Sequence, residues 1–274
     1  MDNDILWMWQ SFGFMSAVQE AREVIERLHV EVKSNPRLCV VQLFGSDSGF
    51  VVSHSVLASA TGHCDAVLIP EIEFSMKRLA KHVRKRMCER SENIPGGLVV
   101  MAETAIPTDA MNYVDEKDDN YKIGLTENEK KAIKKFVLMR NRGERIQGQT
   151  EDELRTAGLK IVSQGLKNLL QNPDRREGGF QPDWRKLRVF TSEPRHLLRA
   201  TRPSSSDFIM GHRLGTLAVD NAMAGYTDFM ISQWLTEFVL VPLKLVVLGR
   251  KRIPDDGIFW KSVLAKTDQP AHMV

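Results

Sequence analysis

Arg37-Leu38-Cys39-Val40-Val41-Gln42-Leu43-Phe44-Gly45-Ser46-Asp47-Ser48-Gly49 is the stretch whose reading decides the fold. Its front half is a nearly continuous apolar run, as expected of a strand covered on both faces rather than one face. Phe44 to Gly49 then changes to small and polar residues bounded by two glycines, which reads as a turn at the strand's carboxyl end. Upstream, Val18, Ala21, Ile25, Leu28 and Val32 recur at helical spacing within Met15 to Val32, with Glu20, Arg22, Glu23 and Glu26 on the other face. That predicts a helix packed on a sheet.

Downstream the same alternation continues. Phe50 to Ser59 has a helical pattern, Ala66-Val67-Leu68-Ile69 is a short strand closed by Pro70-Glu71, Ile72 to Arg90 is a basic helix, and Gly96 to Ala102 is a strand ending at Glu103. Helix, strand, helix, strand with short links is the signature of a parallel α/β sheet. Such sheets bind ligands outside the carboxyl ends of their strands, which puts the Gly45-Ser46 turn and Glu103 at one crevice.

Residues 104–125 read as a polar loop, and Thr126 with Glu129 as a capping box for the next helix. Thr150-Glu151-Asp152-Glu153 opens a helix carrying Leu154, Leu159, Val162, Leu166 and Leu170. The proline- and glycine-bearing stretch Asn172 to Asp183 is the candidate surface excursion. The division expected is 1–190 as one α/β lobe and 191–274 as a second portion. In that portion Leu187 to Phe190 is a strand leading to Arg195-His196-Leu197-Leu198-Arg199, and Phe208 to Ala224 a helix. Asp228 to Trp234 and Phe238 to Val247 are paired strands, and Phe259 to Ala265 is a last helix.

Bulk properties exclude more than they select. At 274 residues and 42% hydrophobic, the chain can bury a sizeable core. A net charge of +3 from 38 basic and 35 acidic side chains gives no overall field that implies nucleic acid or membrane as partner. Three scattered cysteines, Cys39, Cys64 and Cys88, suggest neither a disulfide framework nor a zinc knuckle, and fit a reducing cytoplasm. No signal peptide is read at the first residues. Phe238 to Leu248, the most apolar run, is too short to span ~30 Å of hydrocarbon and reads as buried strand.

Candidate chemistry falls in three groups. Asp2 and Asp4 are two apart, so an extended backbone would send both carboxylates to one side, roughly 6–7 Å apart; the bland alternative is a helix cap or solvated end. Arg37, Arg195, His196, Arg199 and Arg202 form a cationic set whose guanidinium groups match phosphate oxygens. Lys77, Arg78, Lys81, Arg84, Lys85, Arg86 and Arg90 make a basic helix without aromatic interleaving, for which a solvated face or subunit contact is the favoured reading over nucleic acid. No metal-binding His-Glu-x-x-His, Walker loop or Gly-x-Gly-x-x-Gly occurs.

Taken in order, these segments resemble the phosphofructokinase family. Met1-Asp2-Asn3-Asp4-Ile5 and Ser11-Phe12-Gly13-Phe14 look like that family's Thr-x-Asp-Asn-Asp segment and Phe-Gly-Phe helix entry without the threonine. Phe44-Gly45-Ser46 resembles its Met-Gly-Arg, with serine in place of arginine, and Leu68-Ile69-Pro70-Glu71 its Ile-Pro-Glu turn. Glu103, His196 and Arg199 match a sugar-binding glutamate and a His-x-x-Arg phosphate pair. A further phosphate-binding cation expected just before that pair is replaced by Phe190, with Arg188 nearby.

The resemblance implies a parallel-sheet, Rossmann-like phosphofructokinase fold, truncated on its N-terminal side. It also implies the transfer of a phosphoryl group to the 1-hydroxyl of fructose 6-phosphate. Asp2 would be the base, Asp4 its companion near the metal, and Phe44, Gly45, Ser46, Glu103, His196 and Arg199 the substrate contacts. Arg37 is similar to an arginine that reaches a neighbouring subunit's sugar phosphate. Mg²⁺ and ATP, with pyrophosphate as the alternative donor, and a homo-oligomer (dimer or tetramer) in the cytoplasm are implied with it. No nucleotide-binding residues are identified, because the family's Gly-Gly-Asp-Gly segment and nucleotide loop have no counterpart here. The alternative is a sugar-phosphate-binding subunit with weak activity or none.

Overall fold

The computed structural model describes every residue except 61, 91–95, 145–151 and 173–182. Thr150 and Glu151, and the excursion through 173–182, lie outside the described residues.

The predicted alternation is realised. α1 (Phe14–Ser34), β1 (Leu38–Leu43), α2 (Phe50–Ala58), β2 (Ala66–Leu68), α3 (Met76–Arg90) and β3 (Gly97–Ala102) follow one another, and β4 (Val189–Ser192) joins later. All four strands are parallel, in the order β2-β3-β1-β4. β1 is central, paired with β3 from Leu38 opposite Gly97 to Leu43 opposite Ala102, and with β4 on its other side. Every residue of β1 and β3 is buried, which is why β1 reads as an unbroken apolar run. Gln42 is the exception in type, and its side-chain amide donates to the Arg155 carbonyl at 3.1 Å.

Helices cover both faces. α1, α2 and α10 (Ile258–Thr267) pack together against one face of the sheet, and α3 with α6 (Asp152–Gln171) against the other. The stripe Leu154, Leu159, Val162, Leu166 and Leu170 is buried as its spacing predicts. α5 (Glu127–Asn141) starts with the predicted capping box: Glu129 N–H donates to Thr126 Oγ1 at 3.3 Å, and Thr126 N–H to Glu129 Oε2 at 2.7 Å.

Several expectations need correction. The 104–125 loop contains α4 (Met111–Val114) and a 3-10 turn at Asp119–Tyr121, because Tyr113 and Tyr121 pack edge-on in the core, 5.0 Å between centroids. The basic helix starts at Met76, not Ile72; Asp109 accepts from Met76 N–H and sets that start. The cationic segment 195–199 lies on a short helix, α7 (Arg195–Ala200), not at a strand end. β5 (Phe229–Trp234) and β6 (Glu237–Pro242) form the expected antiparallel hairpin. However, Phe238 to Leu248 is not a buried strand. It breaks at Pro242 into α9 (Leu243–Val246), and Val247 and Leu248 are more than 70% exposed. α8 (Ser205–Met223) likewise buries Asp207 alone.

Candidate functional site

Topology locates the crevice. The connection leaving β1 runs to β2 on one side, and the connection leaving β3 crosses to β4 on the other. A crevice therefore opens outside the carboxyl ends of β1 and β3, at a topological switch point. Thr104 closes its floor by donating from Oγ1 to the Ser46 carbonyl at 2.7 Å.

The turn after β1 is tight. Ser48 N–H donates to the Gly45 carbonyl at 2.9 Å, and a Cβ on Gly45 would sit 2.7 Å from the Ser48 carbonyl oxygen, so glycine is required there. Ser46 follows at φ 49°, an uncommon conformation for a non-glycine residue and one that concentrates at functional sites. It aims Ser46 Oγ at Asp2 Oδ2, 3.0 Å away, while Ser48 Oγ donates to the Asp2 carbonyl at 3.3 Å.

Asp2 and Asp4 do not project side by side. Asn3, at φ 59°, breaks the extended path, and its Oδ1 accepts from Ser11 N–H and Lys251 Nζ at 3.0 and 3.2 Å. Asp2 thus turns to the β1 loop, whereas Asp4 pairs with Arg250 at 3.0 Å. Behind them buried Asp47 pairs with Arg252, and burial raises its pKa despite the guanidinium groups of Arg252 and Arg250 pulling it down. Lys251, also donating to the Met8 and Trp9 carbonyls at 3.0 Å, ties the first turn of chain to the segment after α9.

Glu103, 4% exposed, sits at the end of β3. Arg195 Nε lies 3.0 Å from its Oε1 as an ion pair without hydrogen-bond geometry. Burial raises the Glu103 pKa; Arg195, Arg155 and Arg199 pull it down, and Asp2 pushes it up. Arg199 lies with its guanidinium carbon 6.0 Å from the Phe44 ring centroid. His196, three residues before it, falls on the same side of α7 and is exposed. Asp2, Phe44, Gly45, Ser46, Glu103 and Arg199 are therefore gathered at one crevice mouth.

Arg37 is not there. It lies at the opposite end of β1, ~20 Å of strand away, paired with Glu31 at 3.0 Å and over the Phe190 ring at 5.1 Å. Phe190, at the place of the expected extra cation, pairs with Cys39 across the strands and lies under Arg37.

Residues that sequence reasoning passed over include Arg155, Arg250, Arg252 and Asp207. Arg250 and Arg252 neutralise carboxylates reached only through the fold, and Arg155 adds the distant Glu193 to its local partner Asp152. Asp207 caps α1 from a distance, accepting from Gly13 N–H at 2.8 Å and Ser16 N–H at 2.9 Å. Beside the crevice a cavity of about 200 Å³ is lined in part by Glu71, Thr104 and Arg252, with Glu71 Oε2 and Arg252 Nη1 lacking hydrogen-bond partners among the described residues.

This is an α/β protein whose parallel sheet presents a carboxylate and a set of arginines at its switch point, as in sites for anionic ligands. Residues 1–222 match the family described as Phosphofructokinase, and the chain belongs to that family. It is 28% identical over 279 residues to the ATP-dependent 6-phosphofructokinase of Borreliella burgdorferi, matching 100% of this chain and 53% of that one. It is 29% identical over 275 residues to that of Amycolatopsis methanolica, matching 99% and 51%. The chain spans about half the length of the curated relatives it matches. Its fold resembles that of the pyrophosphate-dependent phosphofructokinase from Marinobacter aquaeolei, with TM-score 0.58 at 15% identity over 96% of this chain and 57% of that one. No helix among the described residues is long and apolar enough to cross a membrane.

Proposed function

We propose that the crevice binds fructose 6-phosphate and that the chain takes part in transferring a phosphoryl group to the sugar's 1-hydroxyl, giving fructose 1,6-bisphosphate. The observation carrying this reading is the convergence of Asp2, Ser46, Glu103 and Arg199 at the β1/β3 switch point. Asp2 removes the hydroxyl proton, and Ser46, donating to Oδ2, holds that carboxylate at the crevice. Glu103, held by Arg195, accepts hydrogen bonds from sugar hydroxyls, and His196 with Arg199 holds the 6-phosphate. In this division residues 1–190 carry the base and sugar side and 191–274 the phosphate pair.

ATP is the donor favoured by the relatives' names, with pyrophosphate the alternative. Mg²⁺ binds such sites through one or two carboxylates plus the donor's own phosphates. Asp4 fits that modest demand, since Arg250 engages Oδ2 and leaves Oδ1. When bound, the ion neutralises charge on the transferred group. Arg37, facing away from its own crevice, serves the sugar phosphate of a neighbouring copy in a dimer or tetramer. The compartment proposed is the cytoplasm.

Coupled measurement of fructose 1,6-bisphosphate formation with Mg-ATP and with pyrophosphate tests the reading. Turnover lost in Asp2→Asn is the expected result. A folded chain with no turnover and no calorimetric binding of fructose 6-phosphate overturns it. Binding without turnover supports the second reading, a sugar-phosphate-binding chain, which Ser46 in place of the family's arginine favours.

A further inference from the structure

The basic run on α3 is divided by the fold. Arg84 donates to the Leu169 carbonyl at 2.8 Å, Lys85 lies 3.7 Å from Glu89, Arg86 pairs with Asp268 at 3.2 Å, and Arg90 bonds to buried Asp65 at 3.0 Å. Arg84, Arg86 and Arg90 thus have structural partners, whereas the Lys85 pair is an exposed contact that contributes little. Lys77, Arg78 and Lys81 have no ion pair among the described residues and are exposed.

These three line, together with Arg84, one groove of about 640 Å³, walled on the far side by Asp118, Asn120, Tyr121 and Asn172. That volume falls within the roughly 300–1,000 Å³ of small-molecule sites. Lys77 and Lys81 are one helical turn apart and Arg78 adjoins them, so three like charges crowd the first turns of a helix, where the macrodipole already disfavours cations. Two carboxylates lie near. Asp109 accepts from Met76 N–H at 3.1 Å and keeps its charge toward Lys77, while Asp118, itself in the groove lining, accepts from Asn120 N–H at 2.9 Å, so four lining cations face one lining carboxylate. The Asn172 amide donates to Asn120 Oδ1 at 3.3 Å and so braces the opposite wall.

We infer that this groove between α3, the Asp119–Tyr121 turn and the end of α6 is a second ligand site, for a small multiply charged anion of the polyphosphate or phosphorylated-metabolite kind. An anion there relieves the repulsion among Lys77, Arg78 and Lys81, and the asparagine amides supply polar contacts. Nucleic acid fits less well, because Tyr121 is 5% exposed and offers no face on which a base can stack.

Isothermal titration of the whole chain with sodium tripolyphosphate at low salt tests the site. The expected result is saturable binding that weakens roughly tenfold or more in Lys77→Ala/Lys81→Ala, since charge-assisted contacts dominate such sites, and is retained in Arg199→Ala. Unchanged affinity in the lysine variant, or no binding by the native chain, overturns the inference. So does a loss confined to Arg199→Ala, which would place the anion in the main crevice. Displacement of tripolyphosphate by a short single-stranded oligothymidylate at lower concentration would overturn the ligand class in favour of nucleic acid.

Discussion

Replacing Asp207 by alanine is the perturbation whose cost can be worked most directly. α1 begins at Phe14 behind Gly13, which sits at φ 76° and brings no capping side chain. The first N–H groups of a helix have no intrahelical partners and need acceptors. Asp207, 4% exposed and nearly 200 residues away, accepts from Gly13 N–H at 2.8 Å, Ser16 N–H at 2.9 Å and Ser16 Oγ at 2.5 Å. Alanine removes those acceptors and leaves two backbone donors with nothing to replace them, at about 1–3 kcal/mol each. Relief of the buried carboxylate's desolvation cost offsets part of that. The expected net loss is about 3 kcal/mol, read as a lower urea midpoint with an unchanged m-value. Asp207→Asn keeps one carbonyl acceptor and loses about half as much. A loss below about 1 kcal/mol in the alanine variant would refute the capping argument, because a single exposed cap already accounts for that much.

Other outcomes follow from the same structure. Arg195→Ala removes the first of three arginines that act on the buried Glu103 carboxylate and is expected to cost about 1–3 kcal/mol by thermal denaturation, below the ~3–5 kcal/mol of a wholly uncompensated buried charge because Arg155 and Arg199 remain; Glu103→Gln in the same background restores most of it. His29 and His63 stack with centroids 3.9 Å apart, and burial first, then His63 itself and after it Lys33 and Arg90, lower the His29 pKa to about 4. Unfolded His29 takes up a proton near pH 6.5 while the folded one resists, so stability is full above pH 6.5 and falls from there to about pH 4. His29→Asn should reduce that slope in urea titrations without abolishing it, because burial lowers the pKa of His54, His63 and His82 as well. Cys39 is fully buried with its thiol pushed up to about 12, so a thiol reagent should label it only after denaturant unfolds the chain.

Much of the fold was readable along the chain because it rests on local periodicity. An apolar run of strand length in β1, the helical spacing of α1 and α6, and the Thr126–Glu129 cap are properties of neighbouring residues. The misread elements lie where distant partners decide. Phe238 to Leu248 is apolar enough to be a core strand, yet Pro242 ends pairing and its outer residues stay exposed. Polar loop composition at 104–125 hid Tyr113 and Tyr121, which fold back on each other through contacts no window shows. Asp2 and Asp4 looked equivalent by spacing and were separated by the left-handed turn at Asn3.

By itself the sequence determined the parallel α/β class, the order of elements, the glycine-bounded turn at the end of β1 and the ordered motifs of the family. These are short-range patterns, and side-chain type sets them. Tertiary structure alone decided which polar groups are neighbours: Ser46 on Asp2, Arg250 on Asp4, Arg195 on Glu103, with Arg37 left at the opposite end of β1. The first three pairings join residues far apart in the chain, and only the packing of distant segments against one another brings each pair to 3.0 Å.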